Sequence, residues 1–113
     1  MGFEFNEKQD LAYNVRRAIS EHPEIFQQWR RDADRYRTER PDALIDLEYG
    51  PDLRHRLDLF PAVGQKEVES SPLAIVIHGG YWQALDKADN RHVCRTFCDA
   101  GWTVALLNYR LCP

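Results

Sequence analysis

The chain has 113 residues, of which 43% are hydrophobic and 29% charged, and a net charge of −3. That composition fits one small globular domain and excludes a disordered segment. The weak negative charge leaves no electrostatic footprint for a nucleic acid, and no apolar run approaches the roughly 20 residues needed to cross a bilayer.

Residues 1–12 are polar apart from Phe3 and Phe5 and read as an arm, either docked on the body or frayed. Glu4, Glu7 and Asp10 are unlike the basic start of a secretory signal. Tyr13 to Ser20 reads as a short helix or an irregular segment. From Pro23 to Arg37 the signals converge on a helix. A proline suits the first helical position, and Glu24 suits the positive helix end. Ile25, Phe26, Trp29, Ala33 and Tyr36 fall on one stripe. The opposite face carries Arg30, Arg31, Asp34 and Arg37. It reads as a solvated surface interleaved with acids, in preference to an anion-binding patch. Pro41 marks its end, because the residue before a proline is biased to extended geometry.

Ala43 to Tyr49 alternates loosely as a strand, Gly50-Pro51-Asp52 is turn chemistry, and Arg54 to Phe60 alternates again. Together they predict an antiparallel hairpin over residues 43–60, with Leu57 and Leu59 on one face and Arg56 and Asp58 on the other. Pro61 to Pro72, with Gly64, Glu67, Glu69, Ser70 and Ser71, reads as a surface loop. Leu73 to Ile77 is a continuous apolar run, the pattern of a strand buried on both faces. A polar stretch follows, in which Asp86 or Asp89 can cap a helix. Val93, Phe97 and Ala100 form that helix's apolar stripe, flanked by Cys94 and Cys98, and Gly101 closes it. Thr103 to Leu107 is a second apolar run. Two buried strands joined by a helix predict a parallel βαβ unit over residues 73–108.

The first of those strands ends at His78-Gly79-Gly80-Tyr81-Trp82, and ligands of open α/β sheets bind beyond the carboxyl ends of strands. Paired glycines let the backbone turn sharply and present N–H groups to a ligand, and converging N–H groups stabilise an oxyanion. The other possibility is a tight turn with no ligand. The pentapeptide resembles the HGGxW motif of arylformamidases, also called kynurenine formamidases, within the α/β-hydrolase fold. Leu57-Asp58-Leu59-Phe60-Pro61, Ala84-Leu85-Asp86-Lys87, Asn108 to Pro113, and Asn14-Val15-Arg16 with His22-Pro23 extend the resemblance over most of the chain.

The resemblance implies an amino-terminal part of an α/β-hydrolase fold: arm and helix over residues 1–41, then the hairpin, then the βαβ unit with its oxyanion loop. It implies Gly79, Gly80 and Tyr81 as oxyanion-loop residues and His78 as a loop-orienting residue, not a base. Trp82 and Tyr81 are candidate substrate contacts, Trp82 equally a packing residue. Asp86 and Lys87 either pin the loop by local pairing or lie in solvent, the second being the preferred reading. The implied reaction is hydrolysis of N-formyl-kynurenine, or a similar aryl formamide or ester, through a serine acyl-enzyme. A general carboxylesterase is the close alternative. The family's G-x-S-x-G elbow is absent, since the serines are only Ser20, Ser70 and Ser71. Nucleophile, acid and base are therefore missing from this chain. It is expected to be catalytically inactive alone, as a truncated fragment or one part of a split hydrolase. It is then expected to need a complementary carboxyl-terminal portion or to self-associate, because Leu73–Ile77 would present an apolar edge.

No cofactor and no metal are expected. His92, Cys94 and Cys98 do not make a zinc site: the histidine sits two residues from Cys94, and no fourth ligand or C-x-x-C is present. Cys94 and Cys98 read as buried thiols instead, and three cysteines without framework spacing predict reduced thiols in a cytoplasmic protein. The turn before the helix has neither G-x-G-x-x-G nor a P-loop lysine, so phosphate binding is set aside.

Overall fold

The computed structural model describes residues 4–64 and 70–113. Phe3, Glu67 and Glu69, to which the sequence assigned an arm and a loop, lie outside the described residues. The element order is α1 (Glu7–Tyr13), α2 (Val15–Ala18), α3 (His22–Glu39), β1 (Leu44–Glu48), β2 (Arg56–Phe60), β3 (Leu73–Ile77), α4 (Cys94–Asp99) and β4 (Thr103–Leu107). The fold is α/β, with one mixed four-stranded sheet in the order β1-β2-β4-β3.

β1 and β2 form the expected antiparallel hairpin, with a register shift between Leu44 and Leu47. At that bulge Asp46 takes a φ of 60° and its amide donates to Asp58 Oδ1 at 3.0 Å. β2 pairs antiparallel with β4, Phe60 opposite Val104. β3 pairs parallel with β4, from Leu73↔Thr103 to Ile77↔Leu107, which is the expected βαβ unit. The helix closing that unit ends in a Schellman motif, in which the Gly101 amide donates to Cys98 O and the Trp102 amide to Phe97 O. Gly101 adopts a φ of +92°, a conformation open to a residue without Cβ.

The core lies on one face of the sheet, where Tyr36 of α3, Phe60, Cys94, Cys98, Val104 and Leu106 are packed together. The Tyr36 and Phe60 rings stack at 5.3 Å. Burial of a side chain such as Phe60 is worth about 1.5–3 kcal/mol.

Three expectations need correction, in β3, in α4 and in the crossover before it. Leu73–Ile77 is not buried on both faces. Ala74 and Val76 pack on the core, whereas Ile75 and Ile77 are 61% and 66% exposed, because no layer among the described residues covers the opposite side of this edge strand. In β2 the alternation holds, but the fully buried face is that of Asp58 and Phe60, with Leu57 and Leu59 only partly covered. The α4 stripe is rotated: Cys94 and Cys98 are the buried residues, and Val93 and Phe97 are exposed. Two 3-10 turns, Lys87–Asp89 and Arg91–Val93, precede α4, so the crossover is less helical than its periodicity suggests.

Of the apolar stripe on α3, only Ala33 and Tyr36 are buried, and Ile25 and Trp29 stay exposed. The described part of the arm forms α1, with Tyr13 its last residue, and the segment after it forms α2; neither helix buries a residue.

Candidate active site

The carboxyl ends of β3 and β4 lie side by side, which brings His78 next to Asn108 and Tyr109. His78 is buried, with Nδ1 2.7 Å from Gly79 O and Nε2 3.1 Å from Asn108 Oδ1. Its ring stacks on Tyr109 at 4.6 Å, and the Tyr109 hydroxyl donates to His78 O at 2.9 Å. Both ring nitrogens are thus turned to groups within the fold.

The chain then reverses. Gly80 takes a φ of +126°, and Tyr81 and Trp82 follow at 54° and 58°. The Gln83 and Ala84 amides close the turn on Gly80 O at 3.0 and 3.1 Å. A Cβ on Gly80 would stand 2.1 Å from Ala84 O, so a residue with a side chain does not fit there. Left-handed geometry at a residue other than glycine costs on the order of 1–3 kcal/mol and persists only where its surroundings enforce it. Here Tyr81, Trp82 and Leu85 all adopt it.

Two consequences concern the proposed donors. The Gly80 and Tyr81 amides donate to no group among the described residues, so they remain available. Tyr81 and Trp82 are 81% and 63% exposed.

Behind the turn lies a polar network that the sequence did not predict. Asp86 and Lys87, for which the sequence favoured solvent over local pairing, are both paired. Asp86 Oδ1 accepts from the Ala88 amide at 2.9 Å. Its Oδ2 accepts from Asn108 at 2.9 Å and from Arg54 at 2.8 Å. Burial disfavours the charge on Asp86, but the Ala88 amide, Asn108 and Arg54 outweigh it and hold the carboxyl below its usual range. Lys87 is buried, with its Nζ 2.7 Å from Asp58 and 2.5 Å from Asp46. Asp58, wholly buried, also takes Arg91 Nε at 2.7 Å. Lys87 holds the Asp46 carboxyl below its usual range. The physical cause is the β1 bulge, which brings Asp46 to the same ammonium as Asp58. The available signal was an aspartate between two leucines in a strand that otherwise buries its even-numbered side.

A cleft of about 440 Å³ lies between α3, the hairpin and the Lys87–Asp89 turn, lined in part by Arg30, Arg37, Arg56 and Asp46. Residues 79–82 do not line it. Arg30 pairs with Asp34 and Asp89, and Arg56 with Glu48. Cys94 is buried in the core, and burial pushes its thiol up to about 12. Among the described residues no cluster of His, Cys, Asp or Glu has a metal-holding arrangement. No helix among them is long and apolar enough to cross a membrane.

No family model matches the chain. Its sequence is 34% identical to kynurenine formamidase of Drosophila melanogaster over 77 residues, covering 67% of this chain and 25% of the relative. It is 32% identical to the enzyme of Danio rerio over 71 residues, covering 62% and 23%. The chain therefore spans about a quarter of the length of these relatives. Among solved structures, a Silicibacter protein provisionally named a thioesterase superposes with a TM-score of 0.82 at 33% identity. The match covers 96% of this chain and 40% of that one. Esterase B of Lactobacillus rhamnosis, in a phosphonate-inhibited form, matches with a TM-score of 0.56 at 29% identity, covering 96% and 35%.

Proposed function

Because the chain belongs to the α/β-hydrolase superfamily and its sequence is similar to that of the kynurenine formamidases, we propose that it is the oxyanion-loop portion of a serine hydrolase of formamidase or esterase type. The observation that carries this reading is the pair of unengaged amides, Gly80 and Tyr81, in a strained turn at the carboxyl end of a parallel strand. As a serine adds to a formamide or ester carbonyl, negative charge gathers on the carbonyl oxygen. Preorganised N–H groups are worth most at that moment, and losing one typically costs about 2.7–4 kcal/mol of transition-state stabilisation.

Within that reading N-formyl-kynurenine or a related aryl formamide is the substrate, and Trp82 and Tyr81 offer exposed aromatic surface to its ring. An ester substrate is the second reading, favoured by the esterase and thioesterase names of the structural neighbours. His78 orients the loop and takes no proton. The nucleophile, acid and base come from a complementary carboxyl-terminal portion, since no G-x-S-x-G occurs in the sequence. That portion covers the bare face of β3. The chain by itself is accordingly silent toward formyl-kynurenine and p-nitrophenyl acetate. Saturable turnover by the purified 113-residue chain, abolished by a serine-directed reagent, would overturn this division of labour.

A further inference from the structure

The strained turn is held at its start by His78 and Tyr109, but its far end, Leu85 and Asp86, is held by a residue 31 positions earlier. Arg54 sits in the turn that joins β1 to β2, and it uses all sides of its guanidinium. Nη2 donates to Leu85 O at 3.1 Å, Nη1 to Asp86 Oδ2 at 2.8 Å, and Nε to Tyr109 O at 3.1 Å. Its own backbone is fixed as well. The Arg54 amide donates to Asp52 Oδ1 at 2.8 Å, the Arg56 amide to Arg54 O at 2.8 Å, and the His55 amide to Asp52 O at 2.9 Å. The anchor is therefore rigid, and its planar fork spans both segments that border the loop.

We propose that Arg54 is a positioning residue for the 79–85 turn, setting the direction in which the Gly80 and Tyr81 amides point. Leu85 takes a φ of 69°, which needs an external restraint, and the Arg54 bond to its carbonyl supplies one. A lysine in this place could serve one of the three acceptors and leave the others without the fork. What the amides do once positioned rests on the hydrolase reading above; the clamp itself does not.

The test is hydrogen exchange by NMR on the 113-residue chain, comparing wild type with Arg54→Lys and Arg54→Gln. The reporters are the Gln83 and Ala84 amides, which close the turn on Gly80 O, and the reference is the Val104 and Leu106 amides of β4. Loss of one charge-assisted hydrogen bond corresponds to about 10- to 100-fold in a local opening equilibrium. Protection at Gln83 and Ala84 is expected to fall by that factor relative to β4, with the Gly80 and Tyr81 amide resonances moving. Arg31→Gln, on the exposed face of α3, is expected to change neither. Equal loss in the turn and in β4, or no loss in either, overturns the assignment. If neither Arg54 variant folds, the wild-type chain decides. A slowly exchanging Arg54 Nε proton supports the clamp, and one exchanging at the solvent rate rejects it. Failure here would leave the hydrolase reading standing, and absence of hydrolysis would leave these exchange results unchanged.

Discussion

Asn108 joins His78 to the far side of the loop: one side-chain oxygen receives the His78 Nε2 edge at 3.1 Å and the Lys87 amide at 2.8 Å. Its amide nitrogen donates to Asp86. Three segments distant in sequence thus meet on one side chain at the carboxyl end of β4. Asn108→Ala leaves the buried Lys87 N–H without an acceptor, and an unsatisfied buried donor costs about 1–3 kcal/mol. Urea unfolding should register a loss of that size. A change within the measurement error would show that the network does not bear on stability.

Asp58 is wholly buried and pairs with both Lys87 and Arg91. Removing one member of a buried charge group typically costs about 3–5 kcal/mol, because the remaining charge stays uncompensated. Asp58→Ala should therefore abolish cooperative unfolding or lower the midpoint severely. Replacing Asp58, Lys87 and Arg91 together with apolar residues should recover much of the loss. Full stability in the single variant would contradict the structure.

The hairpin, the long helix, the parallel unit and the glycine closure at Gly101 were legible because each rests on local pattern: alternation, helical spacing, or a residue suited to positive φ. The polar network was not legible, since Asp46, Asp58, Lys87 and Arg91 look like ordinary surface residues one at a time. Only the bulge in β1 and the two 3-10 turns bring them together. The rotated face of α4 has a related cause. Cys94 and Cys98 are small enough to lie against Phe60, and Cys98 Sγ reaches Phe60 O at 3.7 Å, which leaves the larger Val93 and Phe97 outward. For the site, the motif marked the strand end and the turn, but not Arg54.

Asp86 carries a pH dependence of definite sign. Its folded carboxyl lies below the ordinary value, so the unfolded chain binds a proton more readily. The stabilisation is fully present above the ordinary carboxylate pKa of about 3.9 and is lost as pH falls through the lowered folded value. Stability of the wild type should therefore fall more steeply below about pH 4 than that of Asp86→Asn. Parallel acid curves for the two proteins would show that Asp86 is not the titrating group.

Ile75 and Ile77 stand exposed on an edge strand, which is a template for association. The isolated chain should show concentration-dependent association in sedimentation, and Ile75→Lys should shift it toward the monomer without unfolding it. A wild type that is monomeric throughout would mean that the bare face tolerates water.

The most direct test places this chain's residues in a complete hydrolase frame. The matching 40% of the Silicibacter protein would be replaced by the present sequence, and hydrolysis of formyl-kynurenine and p-nitrophenyl acetate measured with and without Gly80→Val. The account predicts turnover by the chimera and a loss of about 10²–10³ in kcat on substitution, the size of one displaced oxyanion donor. A chimera that folds and turns over substrate equally well with valine at position 80 would contradict it.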